Sequence, residues 1–199
     1  MVALFADPMP EVVLRGERLY LRPPRRGDYR QWAAVRGASR EFLVPWEPAW
    51  PEDALTRACY RRRLRRASLD WREDLGYSFH LFERRQDRLL GGVALNNVRR
   101  GVAQSCSVGY WMGAPYARQG FMTEALAAVL DFAFEDLGLH RVEAACLPSN
   151  QPSRRLLGKM GFKEEGFARR YLRINGAWED HILFAMLRED GDASQGGAI

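Results

Sequence analysis

One stretch limits the fold more than any other: Tyr110-Trp111-Met112-Gly113-Ala114-Pro115-Tyr116-Ala117-Arg118-Gln119-Gly120-Phe121-Met122-Thr123-Glu124-Ala125. Tyr110 to Met112 is an aromatic and apolar run with the character of a buried strand, and Gly113-Ala114-Pro115 breaks it. After Gly120 the period changes. Leu126, Val129, Leu130, Ala133 and Leu137 recur at helical spacing and share one face. Strand, glycine-bearing turn and helix start in succession call for a fold that mixes strands and helices. The same succession turns the orphan N–H groups and the positive end of a helix toward an anion. A glycine that merely ends a loop would carry the same letters, so the rest of the chain has to decide.

The flanking sequence supplies a complete α/β set. Met1 to Gly16 reads as an irregular arm, and Arg18 to Arg22 alternates as a half-buried strand. Asp28 is placed to cap a helix that carries Trp32, Val35 and Arg36. Phe42-Leu43-Val44-Pro45-Trp46-Glu47-Pro48-Ala49-Trp50-Pro51 holds three prolines and two tryptophans, and reads as a rigid aromatic loop. Glu52 to Ala67 reads as a helix with Leu55, Tyr60 and Leu64 inward and an arginine-rich outer face. Tyr77 to Glu83, Leu89 to Val98 and Gln104 to Met112 read as successive strands, and Arg141 to Cys146 as another. Asn150 then caps a short helix that Gly161 ends. Phe167 to Ile174 and Trp178 to Leu187 form a hairpin across Asn175-Gly176. The expected organisation is an arm over 1–16, one domain over 17–188 and a flexible tail over 189–199.

Composition removes several function classes. At 199 residues the chain can bury about 70% of its unfolded surface without a disulfide or metal staple. Cys59, Cys106 and Cys146 are odd in number and match no ligand spacing, as do His80, His140 and His181, so no metal is expected. No apolar run reaches the roughly 18 residues of a membrane span, and Met1 to Glu11 lacks the basic and apolar segments of a signal peptide. A cytoplasmic protein is the expectation. Net charge is +5, carried almost wholly by arginine. The cluster from Arg57 to Arg66 is either a solvated helix face or a contact for ribosomal RNA.

The anion site is neither a Walker loop nor a dinucleotide fingerprint, because neither glycine pattern occurs. Its spacing resembles the GNAT acetyltransferase superfamily. The acyl-CoA signature Gln/Arg-x-x-Gly-x-Gly/Ala falls on Ala117 to Met122, with Ala117 and Met122 departing from it. Asn150 to Phe162 is similar to the family's Asn-x-x-Ser/Ala…Leu-x-x-x-Gly-Phe helix. Phe42 to Pro48, Asn97 to Gly101, Gly120 to Ala125, Glu165 to Leu172 and Asn175 to His181 resemble, in the same order, the RimJ branch of ribosomal-protein alanine N-acetyltransferases.

That resemblance implies a single GNAT domain with a mixed, mostly antiparallel, splayed sheet and helices on both faces. It implies acetyl-CoA wedged between the fourth and fifth strands as co-substrate. Trp111 and Met112 would pair with the pantetheine, Arg118, Gln119, Gly120, Phe121, Met122 and Thr123 would hold the pyrophosphate, and Asn150 and Ser153 would complete the cofactor site. The reaction would be direct attack of an amine on the thioester, acetylating the N-terminal α-amino group of a protein, with alanine of a ribosomal protein as acceptor. A small amine (antibiotic or polyamine) and a non-catalytic CoA-binding ribosome factor are the alternatives. The tyrosine used by many relatives falls on Leu157; likeness to the RimL relatives implies Ser153 for the sulfur instead, and Glu47 is the candidate for the amine or its proton. Tyr171 and Tyr110 stand in reserve. Trp46, Trp50, Tyr171 and Trp178 would form the slot for the first residue. Glu124 reads as a structural helix-start residue.

Overall fold

The computed structural model describes residues 10–190. Residues 1–9 of the expected arm (1–16) and 191–199 of the expected tail (189–199) lie outside the described residues. Eight strands form one sheet: β1 (Leu14–Arg15), β2 (Leu19–Arg22), β3 (Gly76–Glu83), β4 (Arg88–Arg99), β5 (Ser105–Met112), β6 (Arg141–Cys146), β7 (Lys163–Ile174) and β8 (Ala177–Leu187). Their spatial order is β1-β2-β3-β4-β5-β6-β8-β7. Every neighbouring pair is antiparallel except β5 with β6. The α-helices are α1 (Tyr29–Ala38), α2 (Arg40–Leu43), α3 (Arg57–Arg72), α4 (Phe121–Asp131), which Phe132–Asp136 continues as a π-helix, and α5 (Gln151–Lys159).

Strand alternation sorts the core into two layers. Leu90 faces the layer that holds Leu126, Val129 and Ala133, whereas Leu89 faces Trp32 and Tyr60. Helices therefore cover both faces. Leu19, Leu21, Leu81, Leu95 and Leu126 are completely buried, and each stabilises the fold by about 1.5–3 kcal/mol over an exposed position.

Several local expectations are corrected. Leu14–Arg15, within the stretch read as an irregular arm, pairs with β2. That short strand shifts the count, so the family's fourth and fifth strands are β5 and β6 here. The aromatic loop begins as helix: α2 runs to Leu43, and a 3-10 turn spans Val44–Trp46 with Pro45 in its first turn, where no N–H is needed. The arginine-rich helix starts five residues later than expected, because Thr56 is its cap and accepts from the Cys59 N–H at 3.2 Å.

Asp28 makes no capping bond to α1. Its buried carboxylate accepts from Arg22 at 2.6 and 2.8 Å and from the Arg25 N–H at 2.8 Å, with His80 Nδ1 at 3.3 Å. Burial works against its charge, but the Arg22, His80 and Arg25 hydrogen bonds win and hold the carboxyl well below the usual range. The Asn175-Gly176 turn is as expected, with φ of +43° and +89°.

Candidate active site in the opening of the sheet

The site arises where two parallel strands part. β5 pairs with β6 only over Ser105–Ser107 and Arg141–Glu143, although both strands run on, to Met112 and Cys146. Beyond Ser107 the β6-facing edge of β5 has no strand partner among the described residues. An extended ligand with amide groups can add to that edge as a further strand would. At the same end of the sheet Gly120 caps α4 with φ +81°. A side chain is disfavoured at that φ, and a Cβ would also lie 3.2 Å from Arg18 Nη2. No side chain caps α4, so its first N–H groups are left for an anion.

Glu124, in the first turn of α4, serves the scaffold. Its carboxylate accepts from the backbone N–H of Arg18 at 2.7 Å and from Arg18 Nε at 3.0 Å. Arg18 also donates to the Gln119 carbonyl at 3.0 Å and lies over the Phe121 ring. The turn from Arg118 to Phe121 is thereby held by Arg18, just before β2, together with Gln119, whose side chain donates to the Pro115 carbonyl at 2.8 Å. Arg118 itself is exposed, with φ +62°.

Two cavities of nearly equal size flank the opening. The first, about 560 Å³, is lined by Glu47, Trp50, Arg36, His80, Trp111 and Tyr110 among others. Arg36 there is buried, donates to both Glu47 oxygens and lies over the Trp50 and Trp111 rings. Trp50 Nε1 also donates to Glu47 at 2.8 Å. Burial keeps the His80 imidazole below its ordinary value, against the pull of Asp28.

The second cavity, about 570 Å³, sits in the opening itself. Its wall combines Val108 to Tyr110 of β5, Ala144 to Cys146 of β6, Asn150, Ser153 and Leu157 of α5, Trp46 and Pro48 of the aromatic loop, and Leu172 and His181 of the last hairpin. Asn150 caps α5 by accepting from the Ser153 N–H at 3.1 Å, which fixes Ser153 in the first turn. The Ser153 hydroxyl meets the Tyr110 hydroxyl at 2.8 Å. Burial pushes the Tyr110 phenol up to about 12, so it keeps its proton near neutrality.

The structure thus gathers Ser153, Asn150 and Trp46 around one cavity and puts Glu47, Trp50 and Trp111 around the other. Tyr171 and Trp178 are exposed and line neither. Leu157 is buried where a tyrosine stands in many relatives, yet a phenol reaches Ser153 from β5 instead. Sequence reasoning kept Tyr110 only in reserve and passed over His181. The strand reading over Trp178 to Leu187 already places His181 inside the hairpin. What hid its surroundings is the irregularity between Ala168 and Leu172, which brings Tyr171 edge-on to its ring at 5.8 Å.

Comparison with known proteins agrees with this geometry. Residues 18–163 match the family model described as the acetyltransferase (GNAT) domain. The chain is 32% identical to the ribosomal protein uS5-alanine N-acetyltransferase of Escherichia coli, over 92% of this chain and 94% of that protein. Its fold is similar to that of the ribosomal-protein-S5-alanine acetyltransferase from Vibrio fischeri, at TM-score 0.84 and 31% identity, covering 90% and 98% of the two chains. It is also similar to Mycobacterium smegmatis RimJ in complex with CoA-disulfide, at TM-score 0.81 and 31% identity over 92% and 91%. With β2 through the first residue of β7 inside the matched span, the chain belongs to the GNAT acetyltransferase family, and acetyl transfer is its chemistry.

Proposed function

We propose that the protein transfers the acetyl group of acetyl-CoA to the N-terminal α-amino group of a protein, with the alanine terminus of a ribosomal protein as acceptor. The observation that carries this reading is the cavity in the sheet opening, bounded on one side by the Ser153–Tyr110 hydroxyl pair and on the other by Trp46 and Pro48. The similarity to ribosomal-protein alanine acetyltransferases over nine-tenths of the chain supports the choice of acceptor.

The residues fit the co-substrate. The free edge of β5 at Trp111 and Met112 suits the pantetheine amides. The uncapped start of α4, from Arg118 through Gly120 to Phe121, Met122 and Thr123, suits the pyrophosphate, with Gln119 shaping the turn. Acetyl-CoA supplies the thioester. The chain's own groups orient the amine, hold the carbonyl oxygen and protonate the departing sulfur. Ser153, backed by the protonated Tyr110, serves the sulfur.

Glu47 has two candidate roles, a hold on the α-ammonium or a relay for its proton. Its oxygens already accept from Arg36 and Trp50, which suits an electrostatic hold more than a shuttle. Trp46 shapes the slot from within the cavity, Trp50 braces Glu47, and the exposed Tyr171 and Trp178 meet the acceptor protein outside. On α3, Arg62 and Arg66 are paired with Asp53 and Asp70. Arg61 and Arg65 have no ion-pair partner among the described residues, and we assign them to ribosome contact. Unchanged ribosome sedimentation of an Arg61→Glu, Arg65→Glu variant would return them to a solvated face.

The test of the whole reading is thiol release from acetyl-CoA with an Ala-initiated peptide, a blocked peptide bearing lysine, and a polyamine. Turnover with the first alone is expected. Turnover confined to the polyamine, or CoA binding without turnover on any acceptor, would refute it.

A further inference from the structure

Among the residues that line the cavity in the sheet opening there is no carboxylate. Its ionisable groups are Tyr110 on β5, Cys146 on β6, and Arg173 and His181 on the last hairpin, with Tyr171 behind His181. Burial raises both the Tyr110 phenol and the Cys146 thiol, so each stays protonated near neutral pH. Arg173 is a cation that donates to the Gly176 carbonyl at 3.0 Å. None of these three can accept a proton from an incoming ammonium.

His181 can. Its ring is almost wholly buried, at 2% exposure. Nδ1 lies 2.9 Å from the backbone carbonyl of Glu179. A carbonyl only accepts, so Nδ1 carries the ring hydrogen and Nε2 presents a lone pair. No hydrogen-bond partner for Nε2 occurs among the described residues. The edge-on contact of Tyr171 fixes the plane of the ring. A histidine serving only the core would normally have both nitrogens satisfied.

We propose that His181 is the general base of the acetyl transfer, receiving at Nε2 one proton of the acceptor ammonium, directly or through one water. The proposal rests on the acetyl-transfer reading above. The neutral amine then bonds to the thioester carbonyl carbon and the carbon–sulfur bond breaks, its electron pair staying on sulfur. The sulfur takes a proton from the Ser153–Tyr110 pair, and the second proton lost by nitrogen restores that pair. His181 releases its own proton to solvent, so one amide, one thiol and one proton leave for each ammonium and thioester consumed.

The experiment compares the parent with His181→Gln and His181→Ala. The expected loss in kcat is about 100-fold for both, with CoA affinity by calorimetry and the unfolding midpoint of His181→Gln unchanged. The His181→Gln deficit should shrink as pH rises and the acceptor amine deprotonates by itself, and added imidazole should restore part of the His181→Ala rate. A readout free of turnover is the ¹⁵N resonance of the His181 ring, which should move when an Ala-initiated peptide binds the protein saturated with CoA. If the parent turns over only some other acceptor, the function reading fails, and the ring resonance followed with that acceptor still judges His181. Retained kcat in His181→Gln, a loss independent of pH without imidazole rescue, or a ring resonance indifferent to peptide would overturn the proposal.

Discussion

The two cavities beside the sheet opening have almost the same volume, about 560 and 570 Å³, and share Tyr110, Asn96, Gly109 and Pro48 as their common wall. They differ in how their polar groups are spent. In the first, Arg36 is matched to Glu47 and Trp50, and His80 to Asp28, which Arg22 also holds. In the second, the Ser153 and Tyr110 hydroxyls bond to each other with the Cys146 thiol beside Ser153, and the imidazole of His181 has one nitrogen in use among the described residues. Paired groups in a dry interior hold a fold together, because separating them leaves a charge or a dipole without a partner. Groups with valence to spare are free to engage a ligand or a proton. The lesson is that size alone does not mark the reacting cavity; unspent hydrogen-bonding capacity does.

The comparison is broken most forcefully on the paired side. Arg36→Met leaves the half-buried Glu47 carboxylate with only Trp50 as a partner, and should cost about 2 kcal/mol of stability in denaturant unfolding. Ser153→Ala, on the other side, strands one neutral hydroxyl and no charge, and should cost about 1 kcal/mol in the same unfolding measurement. Equal stability losses in the two variants would erase the distinction.

Acid tests the paired side more gently. His80 is held below its ordinary value by burial, so under about pH 6.5 the unfolded chain takes up a proton that the native one refuses. Asp28 is held low against burial by Arg22, His80 and Arg25. Its contribution is complete above about pH 3.9, the unfolded value, and is lost as pH falls below that toward the native value. In both cases the unfolded state binds more protons, so stability should decline from about pH 6.5 downward. The His80→Gln variant should flatten the upper part of that decline. A stability curve level from pH 7 to 4 would contradict the assignment.

The smallest expected effect concerns the open side. Ser153→Ala and Tyr110→Phe should each lower kcat about tenfold, and the double variant no further than about the worse single one, because the two hydroxyls act as a pair. Fully multiplicative losses would mean separate roles.

These contrasts also explain what could be read from the letters. Helix α4, strand β6 and the last hairpin turn follow from periodicity and from Gly120, Asn175 and Gly176, since each is decided by neighbours in sequence. The two-sided burial of β4, with Leu89 and Leu90 in different layers, follows from alternation. Pairings across the fold could not be read. Asp28 looked like a cap because capping is local, whereas its partners Arg22 and His80 reach it through the pairing of β2 with β3, Arg22 opposite His80. Glu47 reads as a candidate for the amine, and only the packing of α1 reveals that Arg36 already holds it. Tyr110 looked like one strand aromatic among several, and only the parting of β5 from β6 puts its hydroxyl on Ser153. The irregularity after Ala168 hid His181 for the same reason.

The most direct measurement is tandem mass spectrometry of one peptide that carries both a free N-terminal alanine and an internal lysine, after turnover with isotopically labelled acetyl-CoA. Label on the α-nitrogen alone, at a rate that falls in His181→Gln and not in a variant of the exposed Arg61, is the expected result. Label on the lysine, or an unlabelled peptide beside released CoA, would contradict N-terminal transfer through the Ser153–His181 cavity.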